Sequence, residues 1–211
     1  MAYNGYNQKQ IKIGAISTSE IELRDIIKAW LAVSIAFAIA MSSSILSSDF
    51  YAKFIIASLT VGIGFLFHEI GHKIAAQRYG CFAEFRSFDK MLLLAVAMSF
   101  FGFIFAAPGA VMISGHINKR RNGIISAAGP IVNLVLALGF LGLSFMQLPN
   151  LLEELAFYGF VINSWLALFN MIPFWLFDGY KILKWSKLAY GGIVAAAFAC
   201  LLIQNFVHLP K

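Results

Sequence analysis

Apolar residues in this chain run in long blocks, without the 3.6-residue or two-residue spacing of half-buried helices and strands. Blocks at about 26–46, 54–74, 123–148, 155–172 and 188–207 approach or exceed the ~20 mostly apolar residues that cross a bilayer as a helix. A further block, 91–114, carries Gly102, Pro108 and Gly109, with Gly115 just beyond it. Such a run does not read as one straight helix, and irregular backbone at membrane depth is tolerated only against protein or a wet cavity. Its last stretch, from Ala110 to Gly115, suits an extended conformation as well as a helical one.

The polar residues between the blocks orient them. Lys9, Lys12, Arg24 and Lys28 accompany the start of the first block, Arg78, Arg86 and Lys90 follow the second, and Lys119, Arg120 and Arg121 precede the third. Lys181, Lys184 and Lys187 precede the last. The excess of Lys and Arg in cytoplasmic loops assigns all four groups to that side, amino terminus included. The nearly neutral 47–53 and the acidic 149–154 then face outward. Both flanks of 91–114 are cytoplasmic by charge, so that block enters and leaves on one face as a re-entrant hairpin. The expected fold is an all-α polytopic membrane protein of five to six transmembrane helices plus a re-entrant, β-hairpin-like membrane segment. It forms one membrane-embedded domain over 1–211, with 1–25 as a cytoplasmic segment.

Composition agrees. Of 211 residues, 60% are hydrophobic, 15% aromatic and only 12% charged, with mean hydropathy +0.79. Soluble domains are nearer ~25% charged, which excludes a soluble globular enzyme, and the apolar content excludes a disordered chain. The net charge of +6 sits in the short clusters that set topology, not along a nucleic-acid groove, so the partner implied is the lipid bilayer and no nucleic acid. Cys81 and Cys200 stand far apart and exclude a disulfide scaffold or an all-thiolate zinc site.

One cluster carries chemistry. His68-Glu69-Ile70-Gly71-His72 is an H-E-x-x-H sequence. On a helix its two His lie on one face and can share one zinc ion, while Glu69 stands beside that face as a base for the water that zinc activates. Four His among 211 residues make about 0.002 chance occurrences of the pattern. Three ionisable groups within five residues of an apolar block are also expensive unless they serve a function. His68 lies fourteen residues into its block, about 21 Å along a helix, and so several ångströms inside the cytoplasmic face. Catalytic zinc takes three protein ligands. Glu84 and Asp89 fall in the loop before the hairpin, and Glu153 and Glu154 on the outer side. Asp178 returns at the depth of the two His, although an Asp-Gly pair also suits a turn or helix cap. Pro173 breaks the preceding helix and makes room for a stretch that turns Asp178 inward. His116 lies in a basic loop with no metal partner in spacing or depth.

His-Glu-Ile-Gly-His at 68–72, Ala128-Gly129-Pro130-Ile131-Val132-Asn133, and Asn170-x-x-Pro173-x-x-x-x-Asp178-Gly179 together resemble the site-2 protease family of intramembrane metalloproteases. The resemblance covers about 54–187, the catalytic core. It implies that His68, His72 and Asp178 bind one Zn²⁺ per chain and that Glu69 activates water. Asn133, matching that family's Gly-Pro-x-x-Asn sequence, is either a catalytic amide, stabilising an oxyanion or holding the substrate backbone, or an interhelical hydrogen bond. Asn170 and Pro173 shape the path to Asp178, and Gly129 and Pro130 permit close helix packing. A strand edge within 109–115 offers a docking line for an unwound substrate. Tyr180 departs from the second glycine that many members have after Asp-Gly, and the chain leaves no room for their added regulatory domains.

The function implied is an intramembrane zinc metallopeptidase, a membrane endopeptidase. It would cut the transmembrane helix of a membrane-protein substrate near the cytoplasmic face, in regulated intramembrane proteolysis. Membrane-tethered transcription regulators, anti-sigma factors and remnant signal peptides are the substrate types the resemblance implies. The site opens to the cytoplasm from a multi-pass protein of a prokaryotic plasma membrane. Two other readings stand beside it: a different membrane-embedded zinc peptidase with a Glu as third ligand, and a non-catalytic zinc-binding membrane scaffold.

Overall fold

Lipid offers no partners to backbone N–H and C=O groups, so long apolar blocks fold as helices that close their own hydrogen bonds. The computed structural model describes residues 10–14, 16–42, 47–104 and 108–206. Lys9, Leu46 and Val207, which enter the span and charge expectations above, lie outside the described residues. Within them the chain is mostly helical: α1 (Glu20–Met41), α2 (Phe50–Ala57), α3 (Ile63–Arg78), α4 (Asp89–Ser99), α5 (Lys119–Ser144), α6 (Asn150–Asn170), α7 (Asp178–Trp185) and α8 (Lys187–Ile203).

Among the described residues, three helices are long and apolar enough to cross a membrane: the continuous Phe50–Arg78 of 29 residues, Lys119–Ser144 of 26 and Asn150–Asn170 of 21. They fall on the second, third and fourth apolar blocks, and with them the chain is a membrane protein. The first block lies on α1, whose opening turns carry Arg24, Asp25 and Lys28, and the fifth on α8, an apolar helix of 17 residues.

The all-α expectation needs correction. β1 (Ile11–Ile13) and β2 (Ile16–Thr18) form an antiparallel pair in the amino-terminal segment, and β3 (Phe82–Ser87) pairs antiparallel with β4 (Gly109–Ser114). The expected hairpin within 91–114 is corrected too. Its first half is the helix α4, and its second half, β4, finds its partner upstream in β3, with Phe82 opposite Ser114 and Ser87 opposite Gly109. Glu84 and Arg86 make 82–87 read as a loop in the sequence. In the fold they pair with each other, with Glu84 fully buried.

The sheet is anchored from α1 and α3. Glu22 of α1, fully buried, accepts from the Phe85 N–H at 2.9 Å and the Thr18 hydroxyl at 2.6 Å, and forms an ion pair with Lys73 of α3. Phe85 also meets Phe65 edge to face, with ring centroids 5.7 Å apart. Removing one partner of a buried ion pair leaves the other uncompensated, so this pair fixes the sheet against α3. Between α2 and α3, Ser58–Gly62 widens into a π-helical stretch. The Trp30 indole of α1 donates to the Ser58 carbonyl at 3.0 Å, supplying a partner at the point where the α-helical ladder changes register. At the centre, α5 packs against α3, α6, α7 and α8. At the opposite end from the sheet, Lys53 pairs with Glu154 at 2.8 Å, which puts the start of the 29-residue helix beside the start of α6.

Candidate metal centre

His68 and His72 project from the same face of α3, one helical turn apart, with both rings almost fully buried. Asp178 is the first residue of α7 and joins them from across the bundle. Its delivery follows from local chemistry. The residue before a proline disfavours helical backbone, so α6 stops at Asn170, ahead of Pro173, and the chain turns through 171–177. A side chain at Gly179 would overlap the Met171 backbone, so only glycine lets α7 fold back onto the end of α6. The carboxylate of Asp178 also lies in the first turn of α7, where a helix favours negative charge.

The two His Nε2 atoms lie 3.0 Å apart, and Asp178 Oδ2 is 3.2 Å from His68 Nε2 and 3.0 Å from His72 Nε2. All three residues are buried, at 5%, 8% and 8% exposure, so three ligand atoms face one another with almost no water to satisfy them. A tetrahedral ion with ligand bonds of ~2.0–2.1 Å has ligand–ligand edges of about 3.3 Å. Two imidazoles and a carboxylate at this spacing fit zinc in donor type and in separation. Among the described residues this is the group of His, Cys, Asp and Glu side chains close enough to hold a metal.

The rings are pinned on their far sides. His72 Nδ1 lies 2.8 Å from the Ile125 carbonyl, and His68 Nδ1 lies 2.6 Å from Asn133 Oδ1. Helix α5 can approach because of Gly129, where a Cβ would stand 2.5 Å from the His72 ring and 2.6 Å from the His68 ring. Asn133 is fully buried, and its amide nitrogen is engaged twice, with the Gly64 carbonyl at 3.0 Å and Asn163 Oδ1 at 3.1 Å. Of the two expectations for Asn133, these contacts form the interhelical hydrogen bond, and both of its N–H groups are engaged.

Glu69 is the neighbour of His68 and points to the sheet, where its Oε2 accepts from the Val111 N–H of β4 at 3.1 Å. It lines a small cleft between α1, α3 and β4 together with Lys73 and Phe85. The other acids do not join the centre. Glu84 is held by Arg86 and by Gln10 at 2.8 Å, Glu154 is held by Lys53, Glu153 lies in the first turn of α6, and Asp89 pairs with Lys28. A Glu as third ligand loses its candidates. His116 stays in the loop before α5, where its carbonyl accepts from Arg121. The Val111 amide lies in the strand edge expected within 109–115, whereas the sequence gives no sign of the Ile125 carbonyl or of Asn163 as part of the site. The Ile125 carbonyl is a main-chain group that no side-chain pattern marks, and Asn163 is one polar residue in an apolar block.

A His₂-carboxylate donor set with a second carboxylate alongside, built into helices long enough to cross a bilayer, defines a membrane-embedded protein with a metallohydrolase-type centre. A protein of Methanocaldococcus jannaschii named as a zinc metalloprotease is 39% identical over 156 residues, which is 72% of this chain and 82% of that protein. A protein of Mycolicibacterium smegmatis named as the zinc metalloprotease Rip2 is 34% identical over 137 residues, 56% of this chain and 51% of that protein, so the chain spans about half of the latter's length. No family model and no solved structure matches. With that first relative covered over more than two thirds of both chains, the protein belongs to the site-2 protease family of zinc metalloproteases.

Proposed function

We propose that the protein is an intramembrane zinc endopeptidase that hydrolyses a peptide bond in the transmembrane helix of a membrane-protein substrate, near the cytoplasmic face, in regulated proteolysis. The observation that carries this reading is the convergence of His68, His72 and Asp178 with Glu69 beside them. His68, His72 and Asp178 hold one zinc ion. Zinc bound there supplies Lewis acidity toward water and the scissile carbonyl. Glu69 accepts the proton of the attacking water and passes it to the leaving amine.

A substrate helix hides its carbonyls in internal hydrogen bonds, so it must unwind before attack. The edge of β4 that faces away from β3 supports an account of where it goes. Phe85 and Val111 oppose each other, the Phe85 N–H goes outward to Glu22 and the Val111 N–H outward to Glu69. They are thus a pair whose main-chain groups point away from the ladder, and β4 keeps that edge toward Glu69. An extended substrate segment laid along it would bring its backbone alongside the base. The basic ends Arg78, Lys119, Arg120, Arg121, Lys181 and Lys184 face the cytoplasm, and the site opens on that side of a prokaryotic plasma membrane.

The test is zinc per chain, measured by mass spectrometry of the metal on purified wild type and Asp178→Ala side by side. About one zinc in the wild type and a large loss in the variant are expected. Wild type without zinc would overturn the reading, and full zinc without Asp178 would move the third ligand elsewhere.

A further inference from the structure

Amide and imidazole groups can face one another in more than one hydrogen-bonding sense, but a backbone carbonyl can only accept. Two such carbonyls reach the polar chain behind His68. The Gly64 carbonyl lies 3.0 Å from one terminal atom of Asn133, and the Gly159 carbonyl lies 2.9 Å from one terminal atom of Asn163. Each of those atoms must be the amide nitrogen. Asn163 therefore turns its Oδ1 to Asn133, which donates to it at 3.1 Å, and Asn133 turns its Oδ1 to His68 Nδ1 at 2.6 Å. With oxygen opposite it, His68 Nδ1 must carry the hydrogen. The lone pair then sits on Nε2, the atom that faces Asp178 and His72.

We infer that Asn163 on α6, acting through Asn133 on α5, is a positioning residue that sets the tautomer and ring orientation of His68 for the metal. The hydrogen bonds of Asn163 go to Asn133 and to the Gly159 carbonyl and not to the three ligands, and this role rests on the zinc reading above. Both amides are fully buried, both N–H groups of Asn133 and one of Asn163 are used, and the oxygen of each faces a donor, so reversing either amide would set its oxygen against a backbone carbonyl. The fold also keeps a notch for it. A Cβ on Gly64 would stand 2.5 Å from Asn163 Oδ1, so α3 carries glycine where α6 inserts its amide. His72 needs no such relay, because the Ile125 carbonyl already sets its Nδ1. Groups that orient the ligands of a metal are worth roughly 10–100-fold in metal affinity when removed. A purely interhelical amide bond would contribute to stability and leave zinc affinity alone.

The experiment compares zinc affinity of folded protein in detergent, by competition with a chromophoric chelator, for wild type, Asn133→Leu, Asn163→Leu and the double variant. The absorption spectrum of each after cobalt(II) substitution is recorded alongside. Asn133→Leu is expected to weaken zinc about 10–100-fold. Asn163→Leu should weaken it by a smaller factor and shift the cobalt spectrum in the same direction. The double variant should be no weaker than Asn133→Leu alone, since Asn163 acts through Asn133. Wild-type affinity and spectrum in Asn163→Leu, or losses that multiply in the double variant, would overturn the inference. Should Asn133→Leu fail to fold, Asn163→Leu against wild type decides by the same two readouts. A wild type without zinc removes the proposed function and this inference together, whereas a zinc-binding wild type with unmoved variants removes the inference alone.

Discussion

Glu69 differs from its neighbours on α3 in what it touches. His68 and His72 point into the bundle and meet Asp178, while Glu69 reaches sideways to a main-chain N–H of β4. A carboxylate so placed sits between the metal ligands and the strand edge, where a base for peptide hydrolysis is needed. Glu69→Gln keeps the size and the acceptor for Val111 but cannot take a proton. It should retain zinc at the wild-type level and lose about 10²–10⁴-fold in cleavage rate. Metal content and cleavage of a reconstituted transmembrane substrate, measured on one preparation, check both halves. Cleavage persisting in the variant would take the role of base from Glu69. The four residues of the centre were legible as letters: a spacing of four between two His, an acid between them, and an Asp-Gly after a proline. The orienting groups were not, because the Ile125 carbonyl is common to every residue type and Asn133 reads the same whether its amide donates to a substrate or holds a ring.

At the scale of elements, β4 is the strand that touches the site, through the Val111 N–H and Glu69. Its register against β3 leaves the Val111 N–H pointing off the ladder, so a proline there removes no strand–strand hydrogen bond. Val111→Pro should therefore leave the fold and the zinc intact while lowering cleavage at least tenfold, because it deletes the donor that a docked substrate strand and Glu69 both use. Far-ultraviolet circular dichroism and zinc content check the first half and substrate cleavage the second. Unchanged cleavage would sink strand docking at this edge. The π-helical stretch Ser58–Gly62 is a second feature decided above the residue level. One residue more per turn rotates everything after it, and so helps to set which face of the helix carries His68 and His72. Apolar periodicity cannot show this, since an all-apolar block has no face to misalign.

Outside the metal centre, ion pairs among the described residues stand at two ends of the molecule. Lys53 and Glu154 pair at one, and the Glu22–Lys73 and Glu84–Arg86 pairs gather with the sheet near the other. The topology expected from the basic loops would put these two ends on opposite sides of the membrane. Single cysteines at Glu154 and Lys187, in a chain with Cys81 and Cys200 replaced by serine, should react with a membrane-impermeant maleimide from opposite faces of right-side-out and inverted vesicles. Labelling of both from one face would break the assigned topology.

Hydrophobic blocks, basic loops and the H-E-x-x-H spacing determined by themselves that this is a membrane protein with a metal site, and which residues to examine first. Those features are written in side-chain identity and linear spacing, and lipid allows an apolar block few structures other than a helix. Tertiary structure alone decided that 82–87 is a strand and not a loop, and that its partner lies beyond an intervening helix. It also decided that Asn133 faces His68 rather than open space, and that Asn163 stands behind it. Each of these is a pairing between groups distant in sequence. Its sense is set by which backbone carbonyl happens to stand opposite, and that is a property of packed helices and not of any one segment.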